Sequence, residues 1–211
     1  MTAASPPPVI HVIDDEAPLR RSLVFLLESA GWLATEHESA EAFLAANPPL
    51  PTDGGCLVLD IRMPRVSGLE LQRRLNAAGH RWPIVFMTGH GDVELAVQAM
   101  KDGATDFLQK PFKDQQLLDA VERAVCVSLA QQETDRRCRQ AREVLDRLSP
   151  REAEVARRLA RGLSNKEVAR ELSISDNTVH VHRQHIMEKT GAGSAAELAR
   201  LILRVDPNGL D

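Results

Sequence analysis

The segment Val58–Pro64, VLDIRMP, decides the fold of the first part of this chain. Its aspartate, Asp60, follows the apolar run Cys56–Leu59 and precedes the turn residues Pro64 and Gly68. A short apolar run that is bounded by turn residues predicts a buried β-strand. We therefore expect Asp60 to project from the carboxyl end of that strand, where a carboxylate is either a ligand or a reagent.

A second acidic cluster, Asp14-Asp15-Glu16, follows the apolar run Val9–Ile13. Parallel strands of one sheet would bring these carboxylates next to Asp60, because the carboxyl ends of such strands meet at the same edge. Carboxylates that share a pocket need a counter-charge, and Mg²⁺ accepts oxygen ligands readily. The sequence thus predicts a Mg²⁺ site at this edge.

Two further strand-like runs end in polar groups. The run Pro83–Met87 is followed by Thr88, and the run Thr105–Gln109 is followed by Lys110. A hydroxyl and an ammonium at neighbouring strand ends can bind the oxygens of a phosphoryl group. Four strand ends are therefore expected to converge on one charged crevice.

Strand-like and helix-like periods alternate through the first 127 residues, which predicts an α/β doubly wound five-stranded parallel sheet. The predicted strands lie at 8–13, 32–37, 56–60, 83–87 and 105–109, and the predicted helices at 17–30, 39–46, 67–78, 91–102 and from 114 onward. Residues 128–147 contain neither Gly nor Pro and should extend the last helix. Their apolar positions are sparse, which favours a solvated linker helix over the alternative of a coiled coil.

The C-terminal part predicts a small all-α domain over residues 148–205. Ser149 with Glu152, and Ser164 with Glu167, fit the capping-box pattern that begins a helix. Four helices are expected at about 150–161, 165–172, 176–190 and 194–204, with a helix-turn-helix formed by the second and third. Such a domain is too small for a catalytic fold and is typical of a DNA-binding unit.

A helical wheel gives the third of these helices two faces. The inward face carries Val179, His182, Ile186 and Thr190, and the outward face carries Asn177, His180, Val181, Gln184 and Glu188. The outward face is mostly polar and would meet a partner. The histidines at 180, 182 and 185 lack a nearby cysteine or carboxylate shell, which disfavours a metal site there.

Length suits one large or two small domains, and charge is unevenly distributed along the chain. The 211 residues carry a net charge of −4, but residues 1–144 hold 15 Lys/Arg against 20 Asp/Glu, whereas residues 145–204 hold 11 against 8. The basic excess points to a nucleic-acid partner for the C-terminal part.

No apolar run is long enough for a membrane span and no secretion signal is evident, so we expect a cytoplasmic protein without a membrane partner. The cysteines lack metal-ligand spacing, and structural roles are expected for Cys56 and Cys126.

The motifs Ile13–Glu16, Asp60–Pro64, Thr88–Asp92 and Lys110–Phe112 together resemble the receiver domain of two-component response regulators of the FixJ type. The resemblance covers residues 8–127. It implies that Asp60 accepts a phosphoryl group from a sensor histidine kinase. It also implies a site made of Asp60, Thr88 and Lys110, Mg²⁺ ligands from Asp14, Asp15, Asp60 and the backbone carbonyl of Arg62, a switch pair of Thr88 and Phe107, and a cis Lys110–Pro111 bond.

The motifs Leu148–Glu152, Asn165–Ala169 and Asn177–Arg183 resemble the LuxR/NarL-type DNA-binding domain. The resemblance implies that a face of the third helix enters the major groove of double-stranded DNA. The implied contact residues are Lys166, Asn177, Thr178, His180, Val181, Arg183, Gln184 and Lys189, of which Lys166, Arg183 and Lys189 would contact phosphates. Many members carry Lys at the positions of His180 and Gln184, so weaker monomeric binding is expected here.

The combined prediction is a response regulator that forms a homodimer on phosphorylation, binds promoter DNA and activates transcription, with RNA polymerase as a further candidate partner. One alternative is a related regulator that is controlled without phosphorylation. A second alternative is a Mg²⁺-dependent phosphatase with Asp60 as nucleophile. The phosphatase is disfavoured because Arg62 occupies the position where such enzymes usually carry an acid, so the chain is not expected to be an enzyme.

Overall fold

The computed structural model describes residues 7–46, 54–89 and 93–210. The chain divides into two compact units, with the boundary between Gln132 and Glu133. That boundary lies within the segment 128–147, which the sequence predicts as a connector. Among the described residues, none of the helices has the length and apolar character that crossing a membrane requires.

The first unit contains a five-stranded parallel sheet with the strand order β2-β1-β3-β4-β5. The strands are β1 Val9–Ile13, β2 Leu33–His37, β3 Cys56–Asp60, β4 Ile84–Thr88 and β5 Asp106–Gln109. The helices are α1 Ala17–Ser29, α2 Ala40–Ala46, α3 Gly68–Ala77, α4 Val93–Lys101 and α5 Asp114–Leu145. The predicted doubly wound sheet is confirmed. Its strand order reverses between β1 and β3, which is where such sheets bind their ligands.

Each face of the sheet carries its own apolar core, because successive side chains of a strand point to opposite faces. Ile10 and Val12 pack with apolar residues of α1 and α5. Ile13 and Leu59 pack on the other face, with residues of α2, α3 and α4. Every residue of β3 and β4 is buried, which is typical of parallel strands that helices cover on both sides. The strand that ends in Asp60 is therefore held rigidly.

A pair of histidines bridges β1 and β2 within the first unit. The His11 Nδ1 lies 3.1 Å from the His37 Nε2 and 2.8 Å from the Thr35 Oγ1. The His11 ring also meets the rings of Phe43 and Trp82 edge-on. Burial lowers the pKa of His11 to about 4, with a further contribution from the charge of His37. Burial likewise lowers the pKa of His37, so the pair is neutral at pH 7.

The buried histidine makes the stability of the first unit depend on pH. His11 has a pKa of about 4 in the folded chain and about 6.5 when unfolded. Because the unfolded chain binds the proton at a higher pH than the folded chain does, acid favours the unfolded state. The contribution of His11 to the free energy of unfolding is fully present above about pH 6.5, and about 3 kcal/mol of it is lost as the pH drops through 4. Denaturant unfolding followed by fluorescence checks this, since Trp32 and Trp82 both lie in the first unit. We expect His11→Gln to lose about 3 kcal/mol less free energy of unfolding than the wild type as the pH falls from about 6.5 to below about 4. An equal loss in both proteins would contradict the assignment of this pH dependence to His11.

The long helix α5 continues without a break into the predicted connector and ends at Leu145. Ala141 is buried, and Leu145 packs against the core of the second unit, so the end of α5 is not a fully solvated linker. Cys126 differs from expectation, because it is exposed on α5 rather than buried. Its neighbours Val125 and Ala124 occupy the buried stripe of the helix instead. Cys56 is buried in β3 as predicted, and burial raises the pKa of its thiol to about 12.

The second unit contains the helices α6 Pro150–Ala160, α7 Asn165–Leu172, α8 Asp176–Thr190 and α9 Ala195–Val205. Both predicted capping boxes are present, at Ser149 with Glu152 and at Ser164 with Glu167. Ser173 ends α7 in the left-handed conformation, with a φ of 53°. The core of the unit contains residues of all four helices, including Val155, Val168, Val179, Ile186 and Leu198. The predicted small all-α domain is therefore confirmed.

Candidate functional site

Asp14, Asp60 and Lys110 meet at the carboxyl ends of β1, β3 and β5. The Lys110 Nζ lies 2.9 Å from the Asp14 Oδ2 and 2.7 Å from the Asp60 Oδ1. Asp14 is fully buried and Asp60 is 6% exposed, so this double ion pair lies in the floor of a crevice. The convergence predicted from three separate sequence motifs is thus observed for these three side chains.

Backbone N–H groups hold the remaining carboxylate oxygens of the pair. The N–H of Glu16 donates to the Asp14 Oδ1 at 2.8 Å, and the N–H of Arg62 donates to the Asp60 Oδ2 at 3.0 Å. Each carboxylate therefore has one oxygen on Lys110 and the other on the backbone two residues further along the chain. Hydrogen bonds that involve an ionised group are short and directional, and they fix the orientation of both carboxylates.

The charges of the crevice influence each other's protonation. Burial raises the pKa of the Asp60 carboxyl; Lys110 and the N–H of Arg62 oppose this shift, and the charge of Asp14 adds to it. Burial lowers the pKa of Lys110, but its hydrogen bonds and charge interactions with Asp60 and Asp14 outweigh burial and raise it overall. The ammonium is consequently charged at neutral pH and can attract phosphoryl oxygens.

Asp15 follows Asp14 at the same strand end but stands apart from the double ion pair. It is exposed, and within the described ranges no group of three His, Cys, Asp or Glu side chains is placed to hold a metal ion. The donor set nevertheless suits a hard divalent cation, because Asp14, Asp15 and Asp60 lie at the carboxyl ends of neighbouring strands and their carboxylates offer oxygen ligands. These residues therefore fit Mg²⁺ chemically. Asp15 differs from Asp14 and Asp60 in that its side chain is exposed.

The predicted switch residues lie on β4 and β5. Thr88 is 4% exposed, and its Oγ1 donates a 3.4 Å hydrogen bond to the carbonyl of Gly89. Phe107 is 44% exposed, so its ring points outward. The peptide bond between Lys110 and Pro111 is cis, as the resemblance implies. The rest of the Thr88 motif, at 90–92, lies outside the described residues.

In the second unit, α8 presents the two faces that the helical wheel predicts. Val179 and Ile186 are buried, and His182 and Thr190 are partly buried. The outward residues Asn177, Thr178, His180, Val181, Gln184 and Glu188 are all exposed. The amide nitrogen of Gln184 donates to the Glu188 Oε1 at 3.2 Å, which orients one candidate base-reading side chain.

The three candidate phosphate contacts are placed differently from one another. Lys166 is exposed at the start of α7, and no ion pair joins it to any described residue. Arg183 donates to the Asn165 Oδ1 at 3.2 Å. Lys189 contacts both carboxylate oxygens of Glu152, at 2.9 and 2.6 Å. Sequence reasoning missed this ion pair, because the capping pattern alone already accounts for Glu152.

Two families match this chain in separate regions. The response regulator receiver domain matches residues 10–122. The luxR family of bacterial regulatory proteins matches residues 146–202. The first match contains the crevice of Asp14, Asp60 and Lys110, and the second contains the exposed face of α8.

Relatives match nearly the whole chain. The transcriptional regulatory protein FixJ of Azorhizobium caulinodans is 49% identical over 92% of this chain and 91% of its own. The structure of the response regulator StyR is 42% identical, with a TM-score of 0.81 and coverage of 93% of this chain and 98% of that one. Full-length FixJ from B. japonicum is 46% identical, with a TM-score of 0.58 and coverage of 94% and 97%. These proteins are regulators rather than enzymes, and this chain belongs to the two-component response regulators of the FixJ type, which regulate transcription through a LuxR-type DNA-binding domain.

Proposed function

We propose that Asp60 accepts a phosphoryl group from a phosphohistidine of a cognate sensor histidine kinase. The observation that carries this proposal is the buried double ion pair of Asp60 and Asp14 with Lys110. An Asp60 oxygen attacks phosphorus, the bond from phosphorus to the histidine nitrogen breaks, and an acyl phosphate forms. Lys110 is close enough to stabilise the charge of the transferred group, and transfer of this kind needs mainly positioning and charge neutralisation.

We further propose that Asp15, Asp60 and the backbone carbonyl of Arg62 bind Mg²⁺, with Asp14 contributing directly or through water. Bound Mg²⁺ supplies the positive charge that lets phosphoryl oxygens approach three carboxylates. The hydrogen bond from the Arg62 N–H keeps one Asp60 oxygen occupied and so orients the other. Thr88 would then bond a phosphoryl oxygen, and Phe107 would move from its exposed position, a change that affects packing alone since phenylalanine has no hydroxyl.

The surface that would dimerise is formed by α4, β5 and the part of α5 over residues 114–126. Val97, Met100 and Phe107 are each at least 41% exposed there, although all three are large and apolar. A cluster of exposed apolar side chains on a soluble protein commonly marks an interaction site. Its position beside Thr88 and Lys110 supports a homodimer that forms when Asp60 is phosphorylated, and two-fold symmetry would then present two copies of α8 to paired half-sites.

Light scattering of the full chain with Mg²⁺ and acetyl phosphate tests this proposal. We expect the mass to double when the phosphoryl donor is added. Val97→Glu places a charge in the proposed interface and should keep the phosphorylated chain monomeric. An unchanged mass despite confirmed modification of Asp60 would exclude phosphorylation-driven dimerisation, and an unmodified Asp60 would favour a regulator that works without phosphorylation.

The output that we propose is activation of transcription from promoter DNA, in the cytoplasm, with RNA polymerase as a partner. His180, Val181 and Gln184 would read bases in the major groove, with Asn177 and Thr178 near the start of the same helix. Support comes from their exposure on one face of α8. Lys166 and Arg183 are the proposed phosphate contacts.

A further inference from the structure

Glu152 and Lys189 form an ion pair that joins the first turn of α6 to the last turn of α8. Glu152 is only 4% exposed, although it is ionised. Its Oε2 accepts from the Lys189 Nζ at 2.6 Å and from the N–H of Ser149 at 2.8 Å, and its Oε1 accepts from Lys189 at 2.9 Å. The hydrogen bond from Lys189 contributes most to lowering the pKa of Glu152 to about 2. Glu152 therefore carries its charge at every physiological pH.

This pair can act in two ways that have opposite consequences. If Lys189 contacts a DNA phosphate, Glu152 competes with that phosphate for the same ammonium and weakens binding. If the pair instead fixes α8, the ammonium stays on Glu152 when DNA binds. Lys189 is exposed, with 41% of its side chain accessible, but Glu152 is buried. Moving the ammonium to a phosphate would leave the buried carboxylate without its counter-charge, which costs free energy and favours the second arrangement.

We infer that Lys189 is a positioning residue, which holds the angle of the recognition helix α8 through Glu152 and does not contact DNA phosphate. Two geometric features support this inference. Glu152 lies on α6, whose residues Val155 and Leu159 belong to the core of the unit, so it provides a fixed attachment point. Lys189 lies in the last turn of α8, a little more than one turn beyond Gln184, so the contact restrains the carboxyl end of the exposed face.

The inference rests on the proposed DNA-binding function, and the first step of its test checks that function. The full-length chain, phosphorylated with acetyl phosphate and Mg²⁺, is used to select a duplex from a randomised library. Binding of the selected duplex and of a scrambled duplex is then measured over a range of salt concentrations. Each phosphate contact adds about 0.9 to the slope of log affinity against log salt. A wild-type chain that enriches no sequence would overturn the DNA-binding function, and the inference with it.

The variant Glu152→Gln separates the two roles, because they predict opposite signs. For a positioning pair, we expect about tenfold weaker binding to the selected duplex, unchanged binding to the scrambled duplex and an unchanged salt slope. Tighter binding to both duplexes with a steeper slope would overturn the inference, because it would mean that a released Lys189 had reached a phosphate. The amide that this substitution introduces keeps an oxygen that can still accept the N–H of Ser149.

Two further variants complete the test. Lys166→Met removes an exposed ammonium that has no ion pair to a described residue, and should lower the slope by about 0.9 per recognition helix while weakening both duplexes equally. If Glu152→Gln does not fold, the neutral pair Glu152→Gln with Lys189→Met replaces it, because no buried charge is then left alone. For this double variant, loss of sequence preference at an unchanged slope supports positioning, and a slope reduced as in Lys166→Met overturns it.

Discussion

Asp60→Asn abolishes phosphoryl uptake from acetyl phosphate and, with it, the donor-dependent rise in mass. The substitution keeps the size of the side chain but replaces an anionic oxygen by an amide, which cannot form an acyl phosphate. It also removes one of the two carboxylates that hold the Lys110 ammonium, at 2.7 Å. Intact-protein mass spectrometry, performed at once because acyl phosphates hydrolyse, should find the added phosphoryl group on the wild-type chain and none on the variant.

A matched acid elsewhere in the first unit provides the control. Glu28 lies exposed on α1, outside the crevice. We expect Glu28→Gln to be phosphorylated like the wild type. Phosphorylation of Asp60→Asn to the wild-type extent would identify another acceptor and refute the assignment of Asp60. Lost uptake in both variants would point to a general effect of removing negative charge.

Patterns within short stretches of sequence are enough to predict the elements of this fold. The apolar runs that end at Asp14, Asp60 and Lys110 identify three strands, and parallel topology brings their carboxyl ends together. The capping boxes at Ser149 and Ser164 depend on residues three positions apart, which sequence displays directly. Local spacing of residues is therefore enough to predict the sheet, the crevice and the C-terminal helices.

Pairings between distant residues could not be predicted in this way. Lys189 is 37 residues from Glu152, and His37 is 26 residues from His11, so no periodic pattern connects either pair. The exposure of Cys126 depends on how α5 is rotated about its axis against the sheet. The residues around Cys126 are also apolar, so the sequence does not indicate which of them faces the sheet. The separation of Asp15 from Asp14 is a matter of side-chain direction, which adjacency in sequence does not determine.

Gly68→Ala should destabilise the first unit by about 3 kcal/mol, at the upper end of the usual cost of overpacking. A Cβ at Gly68 would lie 2.3 Å from the backbone oxygen of Asp60 and 3.1 Å from the side chains of Leu59 and Phe86. The backbone oxygen cannot rotate away as a side chain could. Either α3 or the end of β3 must therefore move, and we expect phosphoryl uptake by Asp60 to fall together with stability.

Gly79→Ala distinguishes this steric effect from a conformational one. Gly79 has a φ of +77°, but apart from its chain neighbours no atom of the described residues lies within 4 Å of where its Cβ would be. Alanine should cost only about 1 kcal/mol there, from the left-handed backbone, and should leave phosphoryl uptake intact. Tryptophan fluorescence during denaturant unfolding reports both changes, because Trp32 and Trp82 are the two tryptophans of the chain and belong to the first unit. If both variants lose the same free energy of unfolding, contact with the Asp60 backbone is not the reason that position 68 needs glycine. If Gly68→Ala loses more, as we expect, close packing of the first residue of α3 against Asp60 is required for the geometry of the phosphoryl site.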